Sequence, residues 1–334
     1  MRSAVFLLAA ALAVPAMADY SQHPRAAELL QRLARDENFS DADLAAVRGA
    51  LGAAEQIPAL IEAEQKAAER TETWTTYAQK RVDPQRIERG LAFMDEFRPW
   101  LIRAENEYGV PAAVIAGIVG LETHYGRVTG GARVLDALTT QGFEHPTRSR
   151  FFFDELVQFF ALCREIGFVP TEIKGSYAGA MGWAQFMPSN YRRLALDYDG
   201  DGRRDLWSAP DAIGSIARYL VQYDANRTWH RGEPLAVPAR LTRPLPDGFP
   251  VNKKVVTHTA ASLRALGVET NVNLPPDTPV GLAELTLDQG VEHWVALHNF
   301  YSVMSYNPRV YYAMTVTQLA LSMSQLDAER ARGE

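Results

Sequence analysis

The 334-residue chain has one cysteine, Cys163. A single thiol rules out an internal disulfide framework, so the core has to hold by packing, helped at most by a metal clip. Cys163 lies in the apolar stretch "FFALCREIGF", which is the setting of a buried bystander rather than of a nucleophile. Surplus positive charge is also missing. A net charge of -6 argues against a protein that carries nucleic acid through bulk charge, although it leaves room for a local basic site. There is no internal repeat and no low-complexity tail.

What is present is ordinary for a soluble globular protein: 47% hydrophobic and 22% charged residues, over a length that can build two or three units with a substantial core. The first residues stand apart. Met1-Arg2-Ser3 is a basic start, "AVFLLAAALAVP" is an apolar run, and Ala16-Met17-Ala18 fits a small-x-small cleavage site before Asp19. Residues 1–18 read as a signal peptide removed on export, the run being short for a spanning helix. No cysteine follows the cleavage site, so neither a lipid anchor nor another membrane anchor is expected.

From Asp19 to about Arg103 the pattern is helical. "DADLAAVRGAL" opens on cap residues, and "PALIEAEQKAAER" starts with a proline suited to a first turn. "TETWTTYAQKRV" is less regular. "DPQRIERGLAFMDEFRPWLIRAENEYG" is amphipathic and predicts one long helix, bent near Pro99. "RSRFFFDELVQFFALCREIG", "SAPDAIGSIARYLVQYDA" and "VYYAMTVTQLALSMSQLDAERAR" predict further helices. Between about Gly232 and Gln289 the texture becomes proline-rich with short β-like runs, as in "GEPLAVPARLTRPLPDGFPVNKKVV", which suits a small β-containing insertion.

"VPAAVIAGIVGLETHYGR" ends an apolar helix on one acid. Val114, Ile118 and Glu122 are spaced by four, placing the carboxylate on an apolar face. Gly117 and Gly120 weaken the helix interior and suggest close backbone approach. A carboxylate out of water is costly. Three readings are open: an ion pair with Arg127 or Arg133, an exposed position, or a desolvated acid with a raised pKa that holds a proton near neutral pH.

A second signal is the loop "DYDGDGRRDLWS". Asp197, Asp199 and Asp201 occupy positions 1, 3 and 5 of a calcium-type loop, with Gly202 at the sharp turn and Arg203 offering its carbonyl at position 7. Close carboxylates repel unless a hard cation neutralises them, and oxygen-only ligands favour Ca²⁺ over zinc. Ser208 stands where a bidentate acid is usual, and Asp205 is a candidate water-mediated ligand. The competing reading is an Asp/Gly turn capping the next helix.

The acid motif "GLETHYGR", followed by "KGSYAGAMGWAQFMPSNY", "DYDGDGRRDLWSAPDAIGSIARYL" and "NFYSVMSYN", resembles the B-type lytic murein transglycosylases. The likeness covers most of the chain from about Trp74 onward. It implies a mainly α (α+β) fold with a lysozyme-like core, a flanking helical domain and the small β-containing insertion. The expected units are 19–102 plus 308–334 for the helical domain, 103–231 plus 290–307 for the core, and 232–289 for the insertion. It further implies a periplasmic enzyme acting on peptidoglycan glycan strands, in company with other cell-wall proteins.

In that family Glu122 would be the sole acid and base, cleaving the MurNAc-β-1,4-GlcNAc bond to leave a 1,6-anhydromuramyl end. A retaining hydrolase instead needs a second carboxylate about 5–5.5 Å away, for which Asp136, Glu144 and Asp154 are available in sequence. A scaffold that binds the wall without cutting it is the more distant alternative. The resemblance also implies that Ser176, Tyr177, Gln185, Tyr77, Asn299, Tyr301 and Tyr306 line a sugar cleft. Each has a bland counterpart: a turn serine, a satisfied interior amide or a core-edge ring. Arg148 would contact peptide-stem carboxylates, with Thr147 standing where the family tends to carry a second arginine. Asp211 would complete a lengthened, structural calcium loop spanning 197–211.

Overall fold

The computed structural model describes residues 19–57, 59–60 and 72–333. The expected signal peptide, and most of the helix predicted from Pro58, lie outside them.

After a single 3-10 turn at Tyr20–Gln22 come two helices, α1 (Pro24–Glu37) and α2 (Asp41–Gly52). Asn38 ends α1 in the left-handed conformation at φ 54°, and a reciprocal Ser40–Asp43 capping box starts α2. The irregular stretch around Trp74 contains a helix, α3 (Trp74–Gln79), capped by the Thr73 side chain. The long helix expected next is two, α4 (Pro84–Glu96) and α5 (Arg98–Tyr108), interrupted at Phe97. Pro99 cannot donate to the preceding turn, so the chain restarts there with proline in the first turn.

Helix α6 (Ala112–Thr123) is buried from Ala113 to Gly120 on every side rather than along one stripe. The spacing of Val114, Ile118 and Glu122 therefore describes a central helix, not an amphipathic one. It packs against the C-terminal helix α13 (Val310–Arg332) and against α4 and α5. Around it stand α7 (Val134–Glu144), α8 (Ser149–Ile166), α9 (Pro188–Leu194), α10 (Ala209–Gln222) and α12 (His298–Tyr306). Strands β1 (Ala132–Arg133) and β2 (Lys174–Gly175) form a two-stranded antiparallel pair.

The insertion is a five-stranded antiparallel sheet of order β4-β6-β7-β3-β5, from β3 (Ala236–Leu241), β4 (His258–Thr259), β5 (Val268–Thr270), β6 (Pro279–Thr286) and β7 (Val291–Ala296), with the short helix α11 (Ala260–Ala265). It runs past residue 289, because β7 pairs with both β3 and β6. Side chains alternate between two cores. Val237, Leu282 and Val295 pack in a small cluster with Leu263 of α11, while Ala283, Leu285 and Trp294 join the large helical core. Among the described residues no helix is long and apolar enough to cross a membrane.

Candidate active site

Glu122 occupies the last turn of α6, and the chain reverses directly after it. His124, Tyr125 and Gly126 all have positive φ, at 51°, 61° and 79°. Local bonds hold this reversal. Thr123 Oγ1 donates to the Val119 carbonyl at 3.1 Å and accepts from the Gly126 N–H at 3.0 Å. The Tyr125 hydroxyl donates to the Arg86 carbonyl at 2.9 Å. Its ring fills a slot where a methyl group on Gly120 would sit 2.4 Å away, so that glycine is required. At Gly117 the same methyl would meet α13 at an ordinary 3.5 Å, so close approach does not demand glycine there.

Glu122 is half-buried as a residue and its carboxylate is ringed by protein, and burial pushes its pKa up to about 7. Against that, Tyr312 donates its hydroxyl to Oε1 at 2.6 Å, which favours the ionised form. The negative end of α6 works in the same direction as burial. The arginine readings fall away. Arg133 is held by Asp136 at 2.6 Å and Glu55 at 3.2 Å, while Arg127 is exposed without an ion pair among the described residues.

A tyrosine wall adjoins the acid. The rings of Tyr312 and Tyr306 are stacked, 6.5 Å apart with 8° between their planes, and Tyr219 packs on Tyr306 at 4.6 Å. Burial raises the hydroxyl pKa of Tyr306 and Tyr312 well above the usual, so both remain neutral donors. The Tyr306 hydroxyl donates to the Ala184 carbonyl, and Tyr219 donates to the Ser305 carbonyl at 2.8 Å.

Ser176 behaves as a turn serine. Its Oγ accepts from the N–H groups of Ala178 and Ala180 at 3.3 and 3.1 Å, which leaves its own proton to donate. Gln185, at φ 48°, spends its Nε2 hydrogens on the carbonyls of Thr129 and Gly182 and keeps Oε1 as an acceptor. Tyr177 is 51% exposed. Arg148 is also exposed and rests 4.9 Å from the ring centres of Phe151 and Phe152.

Three predicted cleft residues are placed otherwise. Asn299 is fully buried, accepts from the His230 N–H, and donates to the carbonyls of His230 and Glu233. Its amide is consumed in clasping the neck of the β unit, so it has nothing to offer a sugar. Tyr301 is 4% exposed, with its hydroxyl pressed against Gly281 of β6. Tyr77 is buried between Trp74 and Tyr311 at 6.0 and 5.3 Å, with Arg81 over its ring.

Sequence reasoning missed Tyr312 and Tyr219. Nothing in "VYYAM" separates the tyrosine that meets Glu122 from its neighbour, and the expected division at residue 308 put Tyr312 in a different unit from the acid. Each alternative second carboxylate is engaged elsewhere. Asp136 holds Arg133 and the Glu55 N–H, Glu144 accepts from Tyr20 at 2.6 Å, and Asp154 pairs with Arg32. Cys163 is buried beneath an apolar groove of about 390 Å³ between α2 and α8, its thiol pushed up to about 12 by burial, as a bystander would be.

In the acidic loop, carboxylate oxygens of Asp197, Asp199 and Asp211 lie within 4.8 Å of one another. Asp201 falls outside that set and accepts from the Arg203 N–H at 2.8 Å. Gly200 and Gly202 turn the loop at φ 78° and 89°. Asp211 is 1% exposed, accepts from the N–H groups of Tyr198 and Asp205 at 2.6 and 2.7 Å, and has its pKa raised by burial. A buried carboxylate facing two others, with oxygen donors alone, fits a hard divalent cation. Arg203 could add only its carbonyl.

The profile of the Transglycosylase SLT domain matches residues 21–321. Membrane-bound lytic murein transglycosylase B of Escherichia coli strain K12 is 33% identical over 316 residues, 92% of this chain and 84% of that protein. The catenated lytic transglycosylase SltB1 of Pseudomonas aeruginosa superposes with a TM-score of 0.83 at 38% identity, over 92% of this chain and 99% of that one. The Escherichia coli lytic transglycosylase Slt35 in complex with calcium also superposes at 0.83, with 33% identity over 92% and 95%. Matched over nearly its whole described length, the chain belongs to the Transglycosylase SLT domain family and is a lytic transglycosylase of peptidoglycan.

Proposed function

We propose that Glu122 alone provides the acid and the base of this reaction. Protonated, it donates to the oxygen bridging MurNAc and GlcNAc, and the bond from that oxygen to the muramyl anomeric carbon breaks. The muramyl C6 hydroxyl then closes onto that carbon and returns its proton to Glu122. A 1,6-anhydro ring forms, and no water is consumed. Holding the hydroxyl of the same sugar against the reacting carbon supplies the intramolecular advantage that a second carboxylate would otherwise have to provide. Tyr312 keeps the acid aimed; Tyr306, Gln185 and Ser176 supply donors and acceptors to the sugars, and Tyr177 and Arg148 stand at the exposed rim.

The observation that carries this reading is a carboxyl at about 7, shaped by burial and one tyrosine, with no charged group adding to either among the described residues. Such an acid is protonated often enough to donate near neutrality and basic enough to take the proton back. Mass analysis of fragments released from purified sacculi tests it. Anhydro ends with no added water are expected, and hydrated ends would make the enzyme a muramidase.

The loop of Asp197, Asp199 and Asp211, with Arg203 offering its carbonyl, is proposed to hold Ca²⁺, as a stabiliser of the fold. The calcium in the Slt35 complex supports that assignment. Murein lies outside the cytoplasmic membrane, so the site of action is the periplasm, reached through the export signal read in residues 1–18.

A further inference from the structure

The face of α4 that meets the catalytic turn carries positive charge without adequate compensation. Arg86, in the first turn of α4, is 6% exposed. A guanidinium that deep is normally paired with a carboxylate at hydrogen-bond distance. Its ion-pair partner, Asp83 Oδ2, stands 3.6 Å from Nε, and Nε makes no hydrogen bond. Asp83 Oδ1 is already used, accepting from the Arg86 backbone N–H at 2.9 Å as the cap of α4. Nη2 faces the ring nitrogens of His124 at 3.3 and 3.5 Å, an imidazole rather than an anion.

Arg89 lies one turn further along α4 on the same face and has no side-chain hydrogen bond or ion pair among the described residues. Burial, and then the fields of Arg86 and Arg89, hold the His124 imidazole below its usual pKa, so both cations are felt there. Arg81 is nearby but spent, paired with Glu72 at 3.2 Å and stacked on Tyr77. Helix stability does not explain the arrangement. A cation in a first turn opposes its own helix dipole, and like charges three apart repel. The negative end of α6 partly answers Arg86, but it leaves Nε unsatisfied and does not account for Arg89.

We propose that Arg86, Arg89 and His124 form a carboxylate-binding site beside the catalytic turn, which takes an acidic group of the murein peptide stem. The assignment of the stem rests on the reading of Glu122 as the acid that cuts murein. His124 caps the helix end that carries Glu122, so the site adjoins the turn on which the acid stands. The stem branches from the muramyl sugar, the residue whose anomeric carbon reacts, and its free carboxylates are the nearest anions on the substrate. A planar guanidinium suits a carboxylate bidentately; half-buried Arg89 is the one that would meet the anion, with the buried Arg86 adding its charge from beneath.

Two measurements test the proposal in the mature enzyme. The first compares kcat/KM on stem-bearing glycan strands with kcat/KM on strands stripped of stems, for the wild type, Arg89→Ala and Arg89→Lys. The expected ratio falls about tenfold in Arg89→Ala, the size of one lost charge-assisted hydrogen bond, and recovers in part in Arg89→Lys. An unchanged ratio overturns the stem assignment. The second titrates the dipeptide alanyl-γ-glutamate, with its two carboxylates, by calorimetry. Binding that weakens with added salt and weakens again in Arg89→Ala supports the site, whereas no binding or identical binding in the two proteins overturns it. A wild type that releases no anhydro ends from either strand would strike the Glu122 reading instead, and the dipeptide titration would still decide the arginine site. Matching melting temperatures of the variants separate lost binding from lost fold.

Discussion

Two sets of carboxylates in this molecule have opposite fates. At Glu122 one acid is surrounded by protein with a single tyrosine donor, and its pKa rises to about 7. At the loop, three acids crowd within 4.8 Å, braced by backbone N–H groups of Tyr198, Gly200, Gly202 and Asp205. The first arrangement invites a proton and the second a multivalent cation. The chemical group is the same, and the difference is neighbour count: a lone desolvated carboxyl neutralises itself, whereas a cluster on a preformed turn can share one hard ion.

The sharpest way to break this contrast is Glu122→Gln. It should lower release of anhydro-muropeptides by about a thousandfold or more, as expected when the group moving the proton is removed, while sacculus pelleting retains binding. Tyr312→Phe is the next largest. Losing a hydrogen bond that favours the ionised form should move the alkaline limb of the pH–rate profile upward and cost about tenfold in rate; an unmoved limb would mean that the tyrosine does not act on the acid.

At the loop, chelation with EDTA should lower the melting temperature by several degrees, and Asp211→Asn should remove that sensitivity more fully than Asp201→Asn. An unchanged melting curve would count against the ion.

The smallest effect is on stability. As pH rises from Glu122's ordinary 4.5 towards its folded value of about 7, the unfolded chain releases the proton first, so the native state loses stability through that window, and the loss is complete above it. Glu122→Gln should therefore gain on the wild type across the same window, by on the order of 1 kcal/mol once the partly open face is discounted. Melting curves at acid and alkaline pH check the sign.

Much of the architecture was legible before the structure. Caps, proline positions and the proline-rich change of texture announced most helices and the β insertion, because these signals act within a few residues. The break at Phe97 was half visible, since Pro99 signals a disturbance but not whether the helix bends or restarts. The end of the sheet was not visible, because Val291–Ala296 becomes a strand only by pairing with β3 and β6. Family likeness implied cleft positions for Asn299 and Tyr301, yet their polar ends are turned to the backbone of the β unit's neck and to Gly281, which only the packing of distant segments decides.

Sequence by itself determined what short-range chemistry can encode: an acid closing an apolar helix and an Asp/Gly loop with calcium-type spacing. Tertiary structure decided what depends on distant neighbours: that Tyr312 reaches Glu122 across 190 residues, that Asp211 rather than Asp201 joins the acidic cluster, and that Arg86 is buried without a full partner. The physical reason is that desolvation and through-space charge are summed over everything that packs around a group, and the chain's order does not state which segments those are.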